Sequence, residues 1–222
     1  MHTEAVVFDF DGTLVHLNID FGLMRQDVES LLADHGIQPI GLKGLLALEM
    51  IDEATSRISE KDPVEGKVFY QNAHLVVTEH EVRAARKGRI LSGVITMLKA
   101  LRRRGVKVGI ITRNCDKAVR IVFPDIECFC DAFIPRDSVT RVKPHPDHLI
   151  QAIKEMSIHH PERCLMVGDH PMDIEGGKRM GMKTAGVLTG KTTWQEFIKA
   201  GADLILDNAT KIPGCIFKER AK

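Results

Sequence analysis

From residue 89 to residue 206 the chain alternates short apolar runs with helix-length amphipathic stretches, and this alternation restricts the fold more than any other feature. Val106-Lys107-Val108-Gly109-Ile110-Ile111-Thr112, residues 163–168 and residues 183–187 are short and apolar, so each reads as a buried strand; residues 203–206 add a last short one. Residues 128–134 are strand-like or irregular. The stretches between carry helical periodicity: 91–104 stopped by Gly105, 116–123, 145–156, 172–180 closed by Gly181, and 194–200 closed by Gly201. Strands alternating with helices of this length specify an α/β fold, a doubly wound, mostly parallel sheet with helices on both faces. In such a sheet the crossovers are right-handed, and ligands bind outside the carboxyl ends of the strands.

The N-terminal stretch Val6-Val7-Phe8-Asp9-Phe10-Asp11-Gly12-Thr13-Leu14 begins as one more buried strand and ends in a turn. The next roughly 70 residues show no strand-like alternation. Phe21, Met24, Val28, Leu31 and Leu32 recur at helical intervals before Gly36, and Leu45, Leu46, Leu48, Met50 and Ile51 repeat the pattern. Asp62-Pro63 opens a third helix, with an N-cap followed by Pro at the first helical position, running through Val68, Phe69, Leu75, Val76 and Val82 to Gly88. The expected organisation is a Rossmann-like core of residues 1–15 and 89–222, with residues 16–88 inserted as an all-helical cap domain over the strand ends.

Composition narrows the function. Net charge is +1 in 222 residues, so neither nucleic acid nor an anionic membrane is an expected partner. No apolar run approaches the ~18 residues of a membrane span. The N-terminus enters a strand directly, without a secretory pattern, so a cytoplasmic location is expected. Five cysteines with no framework spacing fit small, mostly buried thiols in a reducing compartment. Cys128 and Cys130 have no second pair to complete a zinc site, and His159-His160 reads as a solvated loop before Pro161.

The chemistry-bearing residues stand at strand ends. Asp9 and Asp11 are two apart, so they leave the first strand on one face, and two carboxylates that close need a cation or a shared proton. Thr112 ends the strand that begins at Val106. Lys143 lies between fixed backbone positions in Val142-Lys143-Pro144-His145-Pro146-Asp147. Asp169 follows Val167-Gly168, and Asp173 lies one helical turn further on, where it can cap the next helix or face back towards Asp169. Four carboxylates at one mouth demand compensation, and an oxygen-only set without partnered His or Cys suits Mg²⁺. A divalent ion, a lysine, a nucleophilic carboxylate and a second carboxylate for proton transfer make a phosphoryl-transfer site.

Asp9-Phe10-Asp11-Gly12-Thr13, Thr112, Lys143-Pro144 and Gly168-Asp169 with Asp173 resemble, in identity, order and approximate spacing, the motifs of the haloacid-dehalogenase-like (HAD) superfamily. The resemblance is to its capped phosphatase branch, which includes phosphoglycolate phosphatases, and it spans nearly the whole chain; the cap matches only in position, length and helicity. It implies that Asp9 attacks phosphorus and that Asp11 protonates the leaving oxygen, then deprotonates the hydrolytic water. It implies Mg²⁺ held by Asp9, Asp11 (through its backbone carbonyl) and Asp169, with Asp173 in or near the shell. Thr112, the Arg113 N–H, Gly12 and Lys143 are then the phosphate-binding groups. Arg113 departs from the small or amide residue common after the Thr, and its side chain is expected to point away from the site. The implied activity is Mg²⁺-dependent hydrolysis of a small phosphorylated metabolite. A sugar phosphomutase on the same scaffold and a non-catalytic binding protein are the alternatives.

Overall fold

The strand β1 (Ala5–Phe8) is fully buried along its length and pairs in parallel on both sides. In the computed structural model, which describes residues 3–38 and 40–217, the chain divides into two compact units, Met1–Leu17 with Gly88–Lys222 and Asn18–Lys87. The larger unit holds β1, β4 (Lys107–Ile111), β5 (Ala132–Ile134), β6 (Cys164–Gly168), β7 (Lys183–Val187) and β8 (Leu204–Leu206) in one six-stranded parallel sheet. Its order, β5-β4-β1-β6-β7-β8, turns back at β1: the chain builds outward through β4 and β5, then returns to place β6 on the other flank. That reversal opens a crevice at the carboxyl end of β1, the usual ligand position in such sheets.

Alternation along the strands separates two cores. Ala5 and Val7 join Ile111, Ala132, Ile134 and Met166 beneath Leu149, Ala152, Ile153 and Met156 of the helix Asp147–Glu155. Val6 and Phe8, one step out of phase, bury on the opposite face. The remaining helices of this unit are Val94–Arg103, Asp116–Val122, Pro171–Arg179, Trp194–Ala200 and Ile212–Ile216. The stretch at 128–134 resolves into a 3₁₀ turn over Ile126–Phe129 followed by β5.

One pairing departs from the expectation that residues 16–88 are helical throughout. Val15–His16 (β2) and Arg89–Ile90 (β3) form a two-residue antiparallel ribbon. This ribbon lies within the larger unit, which runs to Leu17 and resumes at Gly88.

The smaller unit is three helices, α1 (Phe21–Asp34), α2 (Ala47–Ser59) and α3 (Pro63–Ala85). Asp62 opens α3 as expected, its Oδ1 accepting from the N–H groups of Val64 (2.9 Å) and Glu65 (3.1 Å). The buried stripe of α3 differs from the periodic one. Gly66, Phe69, Ala73 and Val77 face inward, while Val68 and Leu75 are exposed. The cause is close packing: a Cβ on Gly66 would lie 2.0 Å from Ser59 Oγ, so α2 and α3 approach along small residues. Phe21, expected in the core of α1, is likewise exposed, whereas Met24, Val28 and Leu32 are buried. The buried His80 joins this α3 face to α1 through Asp27 at 2.7 Å.

Candidate active site

Asp9 follows β1 directly, and its N–H still donates to Val167 O at 2.8 Å, so its backbone is held by the sheet. Its carboxylate accepts from Lys143 Nζ through Oδ1 and from Thr13 Oγ1 (3.4 Å) through Oδ2. Lys143, 3% exposed, also donates to Asp173 Oδ1 at 2.8 Å. One buried ammonium therefore bridges two carboxylates from distant parts of the chain. Burial works against its charge, but Asp173 and Asp9 outweigh that and raise its pKa.

Asp169 follows β6 and joins Asp9 and Asp173 in a group whose ligand atoms all lie within 4.8 Å of one another. Three glycines make the room. A Cβ on Gly190 would stand 1.9 Å from Asp169 Oδ2, one on Gly12 2.2 Å from the same oxygen, and one on Gly168 2.1 Å from Asp173 Oδ2. Gly12 also has φ +77°, which an L side chain rarely adopts. Burial, then the negative charges of Asp9, Asp173 and Asp11, push Asp169 well above the ordinary carboxylate range. Burial raises Asp173 too, against the opposing pull of Lys143. Such crowding fits a site built for a divalent cation: three oxygen donors, tightly gathered, with one lysine for their charge.

Asp173 stands in this group beside Asp169 and also caps a helix. Oδ1 takes the lysine, and Oδ2 accepts from the His170 N–H at 3.2 Å, capping the helix Pro171–Arg179.

Asp11 stands apart. Its carboxylate lies outside the three-carboxylate group and accepts from the Leu17 N–H at 2.8 Å, because the Gly12 turn folds the chain back on itself. Burial, only partly offset by that hydrogen bond and reinforced by Asp9, raises its pKa to about 7.

Thr112, 1% exposed, leaves the sheet at the same end as Asp9, two residues beyond Ile110, which pairs with Phe8. Its Oγ1 accepts from Asn114 N (3.1 Å) and Asn114 Nδ2 (3.2 Å), which leaves its own proton to donate. The Arg113 side chain donates to the backbone carbonyl of Lys143. Thr13 of the first motif, bonded to Asp9, belongs to the arrangement, and Asn114, Gly190 and Thr189, whose Oγ1 donates to Gly12 O, complete it, the last three without a sequence motif to mark them. The loops after β4 and β7 leave the same end of the sheet, which is the signal that could have pointed to these residues.

Known proteins share this architecture. A hydrolase from Pseudomonas syringae superposes with TM-score 0.67 at 22% identity, covering 96% of this chain and 97% of that one. A HAD family hydrolase from Deinococcus radiodurans, solved with bound phosphate and sodium, gives TM-score 0.59 at 21% identity and covers 96% and 95%. In sequence, the pyrophosphatase PpaX of Bacillus cereus is 31% identical over 84% of each chain. The N-acetylmuramic acid 6-phosphate phosphatase of Pseudomonas aeruginosa is 29% identical over 96% of this chain and 94% of its own. The haloacid dehalogenase-like hydrolase family model matches residues 3–181, and the chain belongs to that family.

Proposed function

We propose that this hydrolase is a Mg²⁺-dependent phosphatase that cleaves a small phosphorylated metabolite through an aspartyl-phosphate on Asp9. The observation that carries the reading is the contrast between two carboxylates two residues apart. Asp9 accepts a hydrogen bond from Lys143, while Asp11 accepts from the Leu17 N–H and has its pKa raised to about 7, chiefly by burial. Environments that separate two carboxyl groups in this way suit one to act as nucleophile and the other as acid and base.

In the first step an Asp9 oxygen bonds to phosphorus, the bond to the leaving oxygen breaks, and protonated Asp11 gives that oxygen its proton. In the second, water attacks the phosphorus of the aspartyl-phosphate, yields its proton to ionised Asp11, and frees Asp9 and inorganic phosphate. Thr112 Oγ1, the Arg113 N–H and Lys143 hold the phosphoryl oxygens, with Gly12, whose own N–H is donated to Val15 O at 2.9 Å, leaving room beside them. Asp9, Asp169 and Asp173, with the Asp11 carbonyl, would hold Mg²⁺, which supplies charge neutralisation at the transferring phosphoryl group. The helical unit of residues 18–87 is proposed as the cap that selects the substrate. Relatives that act on pyrophosphate and on a sugar phosphate point to that range of substrates. Among the described residues no helix is long and apolar enough to cross a membrane.

The test is phosphate release by the purified protein with Mg²⁺ from pyrophosphate, sugar phosphates including N-acetylmuramic acid 6-phosphate, 2-phosphoglycolate and nucleotides. Turnover should vanish in EDTA and in Asp9→Asn. Silence across the panel overturns the reading, and isomerised sugar phosphate without free phosphate replaces it with a mutase.

A further inference from the structure

Lys143 reaches Asp9 and Asp173 from a loop, and a flexible four-carbon side chain can hold two carboxylates only if its backbone stays still. That backbone is tied on both sides. The Lys143 N–H donates to Nδ1 of His148, the second residue of the helix Asp147–Glu155, at 3.1 Å. The Lys143 carbonyl accepts from Arg113, the residue after Thr112. We propose that His148 and Arg113 are positioning residues that clamp Lys143 for catalysis, a role that rests on the phosphatase reading above.

The chemistry of His148 fits an acceptor. A ring nitrogen that receives an N–H carries no proton, so the imidazole is neutral with its proton on Nε2. The residue is fully buried, and burial, followed by the positive charge of Lys143, pushes its pKa down to about 3. Nδ1 therefore stays an acceptor at pH values well above 3. Arg113 belongs to the segment that carries Thr112 and its two Asn114 hydrogen bonds, so its grip on Lys143 O links the lysine loop to a second phosphate-binding strand end. The clamp thus joins the end of β4 to the lysine loop, with two side chains gripping the main-chain N–H and carbonyl of Lys143. It acts through Lys143, and neither side chain is required to touch substrate.

The experiment compares His148→Leu, His148→Asn and Arg113→Met in the full chain. It reads Lys143 amide hydrogen exchange by NMR without substrate, and kcat and KM for phosphate release with Mg²⁺. His148→Leu removes the acceptor at similar size; it should speed Lys143 exchange at least about tenfold and lower kcat about 10–100-fold with KM little changed. His148→Asn, whose amide oxygen can take the place of Nδ1, should recover most of both. Arg113→Met should lower kcat at unchanged thermal stability. Unchanged exchange and kcat in His148→Leu, or an Asn variant no better than Leu, overturns the clamp in favour of simple packing. If His148→Leu does not fold, Arg113→Met decides: a fall in kcat supports the clamp and wild-type kcat overturns it. If the wild type releases no phosphate from any substrate, the phosphatase reading fails by itself, and the exchange of the Lys143 amide still settles whether His148 holds it.

Discussion

Lys143 Nζ lies 2.8 Å from Asp173 Oδ1 while the other oxygen of the same carboxylate caps a helix through the His170 N–H at 3.2 Å. Entry into that helix and the charge balance of the site therefore depend on one buried side chain. Lys143→Met would strand Asp173 and Asp9 without their cation. Removing one partner of a buried ion pair costs about 3–5 kcal/mol, so urea unfolding of the metal-free variant should show a loss of that order. Phosphate release should fall below detection.

Asp9→Asn removes the proposed nucleophile and one of the crowded charges together. Loss of a nucleophile that acts as part of a unit typically costs more than about 10⁴-fold, and turnover should fall by at least that. The metal-free variant should unfold no more easily than the wild type, because Lys143 retains Asp173. A variant still turning over at a tenth of the wild-type rate would exclude Asp9 as nucleophile.

Asp11→Asn should discriminate between leaving groups. With an alkyl phosphate, loss of positioned proton transfer is expected to cost about 10²–10⁴-fold in kcat. With p-nitrophenyl phosphate, whose leaving group needs no proton, the first step should be much less affected. In the wild type, kcat/KM for the alkyl substrate should decline as pH rises past about 7, where Asp11 loses its proton.

Stability should also report the raised carboxylates. Asp11 keeps its proton in the folded chain up to about pH 7, while an unfolded Asp releases it near pH ~4. Across that window the native state binds more protons, so metal-free stability is greatest at the acid end and falls as pH rises. The upward shifts of Asp169 and Asp173 act in the same direction. Mg²⁺ should raise the melting temperature, and by more at pH 8 than at pH 5, since its ligands must be deprotonated. Equal stabilisation at both values would rule out this carboxylate set as the metal site.

Gly190→Ala tests how tightly Asp169 is seated. The added Cβ would stand 1.9 Å from Asp169 Oδ2, so the carboxylate must move. Calorimetry should show Mg²⁺ affinity weakened about 10–100-fold, the usual effect of disturbing a ligand's support.

Much of this molecule was determined locally. Apolar runs of strand length, each ended by Asp9, Thr112 or Asp169, specify buried strands and carry their functional groups to one end of a parallel sheet, because side-chain alternation and the geometry of strand–helix crossovers need no distant information. The cap of α3 at Asp62 and the dual possibilities of Asp173 were legible for the same reason. Tertiary structure alone decided the rest. It set β1 between β4 and β6, turned Phe21 and Val68 outward, and drew α2 against Gly66. It sent Arg113 and His148 to the two sides of the Lys143 peptide, and it parted Asp11 from the other three carboxylates. Each of those outcomes depends on which distant segment packs alongside, a competition among long-range contacts that the periodicity of a single stretch does not record.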